Sequence, residues 1–156
     1  MKDFVSKTQS VPIANIQILD NQPIFIYTDG SNFLDKKASW AIIVVQNDKV
    51  IDQKSGVLTG EICQLRNISG ELKAAIEAID WARKNNVTVT LVHDLQGILK
   101  WANGEWKTNN KWTRSYKKFV DSNRQYIAGF SWCRGHSGVK WNELADELAG
   151  KTLKNG

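Results

Sequence analysis

A chain of 156 residues, 42% hydrophobic and 24% charged, is long enough for one domain with its own core and too apolar for a disordered polymer. No apolar run approaches the ~20 residues that span a bilayer, and the opening MKDFVSKTQS lacks the apolar stretch of a secretory signal, so a cytoplasmic protein with no membrane partner is expected. The formal net charge of +5 is concentrated: Lys100 to Arg124 holds seven basic residues against Glu105 and Asp121, while the rest of the chain balances at fourteen of each sign.

Residues 1–22 are polar and weakly patterned, contain Pro12, and read as an irregular N-terminal lead-in to a domain over 23–154. IFIYT (24–28) is a β-rich apolar run expected to end at Asp29 and the turn pair Gly30-Ser31. SWAIIVVQ (39–46) and KVIDQKSGVL (49–58) predict two strands joined by a tight turn at Asn47-Asp48. Leu72, Ala75, Ile76 and Ile79 recur at helical spacing over 69–84, with Asn67 or Ser69 as candidate cap. VTVTLVH (87–93) alternates as a strand and stops at Asp94. A short helix over 95–102, a second over about 112–122, a strand YIAGFSWC (126–133) and a last helix from Lys140 complete the chain. That order predicts an α/β fold with a sheet of about five strands.

The chemistry-bearing residues stand at the ends of these elements. The strand 24–28, the helix and the strand 87–93 form a plausible βαβ unit, whose strands run parallel. Asp29 and Asp94 then share the carboxyl edge of the sheet, where open α/β sheets place ligands. A carboxylate beside a core is costly to desolvate. One alone reads as a turn-former; two at equivalent strand ends suggest a divalent cation with hard oxygen ligands. Glu71, in the first helical turn, is equally explained by the helix dipole. Asp146 lies one turn beyond Asn142 on one face, a pattern that also fits a solvated surface. His136, between Gly135 and Gly138, sits on a loop that suits proton transfer or simple exposure. The basic window interleaves Trp101, Trp106 and Trp112, as for a polyanion partner, and fits a solvated helix face with aromatic anchors as well. Cys63 and Cys133 lack zinc-ligand spacing and read as reduced packing residues.

Taken in order, Y-T-D-G-S (27–31), S-G-E-L-K-A-A (69–75), V-H-D-L-Q (92–96) and W-C-R-G-H-S-G-V-K-W-N-E-L-A-D-E-L-A (132–149) resemble the motifs of type 1 ribonuclease H over about residues 24–150. G-I-L-K-W-A-N-G-E-W-K-T-N (97–109) is similar to a bacterial branch of that family. The resemblance implies a ribonuclease H-like fold, a five-stranded mixed sheet flanked by helices. It implies an endoribonuclease that hydrolyses the RNA strand of RNA–DNA hybrids, leaving 5′-phosphate and 3′-hydroxyl ends. Two Mg²⁺ ions, with Mn²⁺ as a substitute, would be held by Asp29, Glu71, Asp94 and Asp146, and His136 would assist water activation or product departure. Gly30, Ser31, Asn67, Gln96 and Asn142 become candidates for reading the 2′-hydroxyl in the minor groove. Lys107 and Lys111, within the basic window, become candidates for gripping phosphates. A monomer acting on a hybrid duplex is expected.

Two departures stand out. The family's glycine- and proline-rich loop after the first strand is replaced by N-F-L-D-K-K-A, and Leu95 stands where a serine often follows the third aspartate. Two other readings share the motifs: a DNA nuclease on the same fold, since a fold does not fix a function, and a non-catalytic nucleic-acid-binding module. Four intact acidic positions argue against the second.

Overall fold

The computed structural model describes Phe4, Lys7–Ser10 and residues 17–134 and 139–156. A six-stranded sheet carries the chain, in the order β1-β4-β3-β2-β5-β6. Its strands are β1 (Lys7–Ser10), β2 (Ile24–Phe33), β3 (Lys37–Gln46), β4 (Lys49–Thr59), β5 (Val89–His93) and β6 (Ile127–Trp132). β2, β3 and β4 pair antiparallel, whereas β5 runs parallel to both β2 and β6. Among the described residues the α-helices are α1 (Asn67–Lys84), α2 (Gly97–Ala102), α3 (Lys111–Ser122) and, after the last strand, α4 (Lys140–Asn155).

The continuous apolar run of β3 explains its place in mid-sheet. A strand covered on both faces has no solvent side on which to alternate, and every residue of β3 after Lys37 is buried. One cover is α1, whose Leu72, Ala75, Ile76 and Ile79 all lie in the main core with Ile24, Ile26 and Trp40. The other is α4, whose Ala145 packs with Ile43 and Val45 while Trp141, Leu144 and Leu148 close the edges. Removing a large aliphatic side chain from water stabilises by about 1.5–3 kcal/mol, so each helix is held mainly by its apolar stripe. The hairpin between β3 and β4 turns at Asn47 and Asp48, with φ of 52° and 58°. That left-handed pair matches the twist of antiparallel strands, and Asn and Asp tolerate it.

The expected five strands are β2 to β6, and the structure adds one. Four residues of the polar lead-in, Lys7–Ser10, form β1 and pair antiparallel with the outer edge of β4, Lys7 opposite Val57. Nearby in sequence, Phe4 is buried in the main core. A sequence pattern too short and polar to read as a strand is here recruited by backbone pairing to an open sheet edge. A second difference lies at Gly30-Ser31, which do not form a turn. β2 continues through them to Phe33, with Gly30 opposite Trp40 and Ser31 opposite Ser39, and the chain reverses only at residues 34–36.

Neither proposed residue caps α1. The helix starts at Asn67 itself after Arg66, which has φ 54° and offers no side-chain cap. Ser69 is buried and its hydroxyl donates back to the Arg66 carbonyl. α3, by contrast, begins with a reciprocal capping box between Asn110 and Thr113.

Candidate active site

Parallel pairing brings the first two carboxylates level. Tyr27 stands opposite Val92 between β2 and β5, so two residues further on Asp29 stands beside Asp94, where β5 has just ended. Thr28 reinforces this pairing from below, its hydroxyl donating to the Val92 carbonyl at 3.4 Å. On the far side of Asp94, the indole Nε1–H of Trp132 donates to the Asp94 carbonyl at 3.0 Å, and the Cys133 amide donates to the His93 carbonyl at 2.7 Å. Asp94 is thus a bend pinned from two strands.

Glu71 arrives from α1 through an unusually close approach of helix to strand. A Cβ on Gly30 would lie 2.6 Å from the Glu71 nitrogen, and one on Gly70 would run into the Ser39 carbonyl. Two glycines face to face therefore let α1 sink onto β2, because a side chain at either would hold the backbones apart. Glu71 is the fifth residue of α1, only 4% exposed, and points into the sheet edge. A helix-dipole role does not account for such a buried carboxylate. The Gly30 amide lies between the first two acids, donating to Asp29 Oδ1 at 2.8 Å and to Glu71 Oε1 at 3.2 Å.

One carboxylate oxygen from each of Asp29, Glu71 and Asp94 lies within 4.8 Å of the other two. Asp146 joins from α4. It is exposed at the rim of a small hollow that Asp29, Asp94, Asn142 and Glu143 also line, and it lies close enough to Asp29 to disfavour ionisation there. Burial, and then the neighbouring Asp94 and Asp146 charges, push Asp29 from the ordinary 3.8 up to about 7, against partial relief from Glu71 and the Gly30 amide. Glu71 is raised as well, by burial first and by Asp29 and Asp94 after it. Carboxylates crowded this closely cannot all ionise unless positive charge enters.

The hollow adds residues that sequence reasoning passed over. Glu143 lines it beside Asn142; its signal was its place three residues before Asp146 in N-E-L-A-D, on the same helical face. Trp132 and Gly70 act from behind, and only the fold reveals what each touches. Asn142 is buried and its Oδ1 has no partner among the described residues. Glu71 Oε2 is likewise buried and unpartnered. Two orphaned acceptors, one on a residue of the carboxylate cluster and one on a residue lining the hollow, are what a site for cations and a hydrogen-bonding substrate requires.

The other expected contacts lie around this centre. Gly30, Ser31 and Gln96 are half-exposed, and Asn67 is exposed at the start of α1. His136 lies outside the described residues. In the basic window, Trp101 and Trp112 pack on the core while Trp106 is exposed and meets Trp101 edge-on at 5.8 Å. Lys100, Lys117 and Arg124 pair with acids, and Lys111 pairs with Glu61 at 3.2 Å while lying over the Trp112 ring. Lys107, Arg114 and Lys118 make no ion pair among the described residues, so both readings of this window hold in part.

Known proteins are similar to this chain in sequence and in fold. A family model described as RNase H matches residues 21–154. Ribonuclease HI of Haemophilus influenzae is 35% identical over 146 residues, which cover 85% of this chain and 90% of that protein. Among solved structures, RNase H1 of the halophilic archaeon Halobacterium salinarum superposes with a TM-score of 0.67 at 22% identity, covering 86% of this chain and 99% of that one. LC11-RNase H1 in complex with an RNA/DNA hybrid gives 0.69 at 16% identity, over 85% and 97%. The structural likenesses speak for the fold; the family match and the sequence relative, over nearly the whole domain, go further. The chain belongs to the ribonuclease H family.

Proposed function

We propose that this protein is an endoribonuclease that hydrolyses the RNA strand of RNA–DNA hybrids at Asp29, Glu71, Asp94 and Asp146, leaving 5′-phosphate and 3′-hydroxyl ends. The observation that carries the reading is the meeting of three carboxylates from three separate elements within 4.8 Å, two of them buried. A cluster that resists ionisation on its own, made of oxygen donors only, fits hard divalent cations. Two Mg²⁺ ions, or Mn²⁺ in their place, would be held by these four residues. When bound, such ions supply Lewis-acid activation of the attacking water and charge stabilisation at the departing oxygen.

The chain's own groups fix what is cut and where. Gly30, through its amide, holds Asp29 and Glu71 in register with each other, and Trp132 holds the backbone of Asp94. Asn142 Oδ1, buried and free to accept, suits the 2′-hydroxyl donor that distinguishes RNA from DNA. Gly30, Ser31, Asn67 and Gln96, each within four residues of one of the acids in the chain, are assigned the rest of the minor-groove contact. Lys107, together with Arg114 and Lys118, makes no ion pair among the described residues and is assigned the phosphate contact in the basic window. Lys111 serves there only by releasing Glu61. His136 is assigned a helping role in proton transfer or product departure. The protein is proposed to act as a cytoplasmic monomer.

Labelled hybrid, double-stranded RNA and duplex DNA, each incubated with and without Mg²⁺, test the reading. Cleavage of the hybrid alone, and only with the metal, is the expected result. Metal-dependent cutting of all-DNA duplex would assign the chain instead to the DNA nucleases of this fold.

A further inference from the structure

The hairpin between β2 and β3 carries a feature that the catalytic centre does not use. Phe33 and Leu34 at its tip are 58% and 52% exposed, large apolar side chains left in water. Beside them is a hollow of about 300 Å³, lined by Phe33 and Lys37 from the hairpin and by Gly150, Leu153 and Lys154 from the end of α4. It is apolar at its floor and cationic at its rim. Lys154 and the neighbouring Lys36 make no ion pair among the described residues, and Lys37 donates only to the Gly156 carbonyl. Asp35 is the one acid in the connecting stretch N-F-L-D-K-K-A.

Both walls of this hollow lead back to the carboxylates. Residues at i and i+4 of a strand lie on one face, so Phe33 follows Asp29 along the same side of β2, about 13 Å further on. On α4, Gly150 follows Asp146 by one helical turn. A polyanion lying across Asp29 and Asp146 with its axis along β2 would meet Phe33, Lys37 and Lys154 roughly four base pairs away. An aromatic face flanked by lysines is the usual platform for a nucleic-acid strand, the ring against a base or sugar and the cations against phosphates.

We propose that this hollow holds the flank of the hybrid duplex beyond the phosphate that is cut, with Phe33 against the strand and Lys37 and Lys154 on its phosphates. The proposal rests on the hybrid-cleaving reading and gives the altered hairpin N-F-L-D-K-K-A a function. It is separate from the basic window on α3, a helix that packs on α1 and α2.

Binding of fluorescent hybrids by the full chain in EDTA, using duplexes lengthened stepwise on either side of the cut site, tests it. Affinity is expected to rise once one flank exceeds roughly four base pairs. Phe33→Ala should then weaken binding of the long hybrids about 5-fold or more without changing its salt dependence. Lys154→Gln should lower the slope of log Kd against log salt by about one. Neither variant should alter binding or cleavage of the shortest hybrid that is cut. Two variants at exposed positions guard against a folding defect, and matched melting temperatures confirm it. Parent-like binding of long hybrids by both variants overturns the proposal, as does an equal loss on short and long hybrids. So does a parent that self-associates, or binds an acidic peptide, only when Phe33 is present while its hybrid affinity ignores that residue. A parent that binds in the length-dependent way but cuts nothing sinks the nuclease reading and leaves this contact standing.

Discussion

The two sides of the carboxylate cluster are built differently. Asp29 and Glu71 lie where α1 closes tightly on β2, with Gly30 against Gly70, and each is only 4% exposed. Asp146 stands on an exposed face of α4, and side-chain hydrogen bonds among the described residues that tie that helix to the sheet run from Ser39 Oγ to the Ala149 carbonyl at 2.6 Å and from Thr152 Oγ1 to Ser55 Oγ at 2.7 Å. The contrast teaches a division of labour. One side fixes geometry at a cost in stability, because buried acids repel. The other can adjust as charge enters or leaves.

The largest effect should come from Asp94, the acid between the two sides. Asp94→Asn keeps the size of the side chain and removes one charge, so hybrid binding should persist while kcat falls on the order of 10³-fold. Single-turnover cleavage beside a binding isotherm measures both, and parent-like turnover would remove Asp94 from the chemistry. Gly70→Ala attacks the rigid side directly. Its methyl group meets the Ser39 carbonyl, so overpacking should cost about 1–3 kcal/mol and a displaced Glu71 up to about 10²-fold in rate. A thermal melt and a rate together detect it; an unchanged Tm would mean that helix and strand are not in close contact.

The stability cost of the rigid side has a pH signature. Because the folded Asp29 sits near 7 instead of 3.8, its ionisation destabilises the metal-free protein as pH rises through that interval, and the penalty vanishes below it. Asp29→Asn should therefore raise the metal-free Tm at pH 8 by roughly 2–8 °C and do little at pH 4. Mg²⁺ should stabilise the parent more at pH 8 than at pH 5.5, where protons compete for the same oxygens. Equal Mg²⁺ shifts at both values would break the link between burial and cation demand. The smallest effect belongs to the adjustable side. Ser39→Ala and Thr152→Val should each cost about 1 kcal/mol and raise the Mg²⁺ concentration for half-maximal rate a few-fold, with kcat at saturating Mg²⁺ unchanged.

How much of this was legible in the residues depended on range. Local patterns located every strand and α-helix from Ile24 onward, since apolar periodicity reports which side of a strand or helix is buried, but not the short 3-10 helices at Glu61–Leu65 and Arg124–Tyr126. The four acids were legible as motifs in order, and pairing rules predicted that Asp29 and Asp94 would meet. What escaped was set by partners distant in sequence. The strand at Lys7–Ser10 exists only because β4 offers an edge, and no pattern in KTQS signals it. Gly30 looked like a turn residue because glycine has two uses, and only the approach of Gly70 reveals the second. The role of Trp132 depended on its register opposite His93, which no reading of β6 alone supplies. Lys111 looked free until Glu61, fifty residues earlier, was found beside it.

The docking of α4 also sets an order in time. Its packing partners β2, β3 and β4 are complete by Thr59, while the helix ends at Asn155. At about 5–20 residues per second of synthesis, a ribosome spends about 5–20 s between them. For most of that interval the growing chain owns Asp29 but not Asp146, and the sheet face that α4 will cover, with Ile43 and Val45, stays bare. A nascent chain of this protein is therefore born inactive and sticky, and gains its nuclease competence in the same late step that hides that surface.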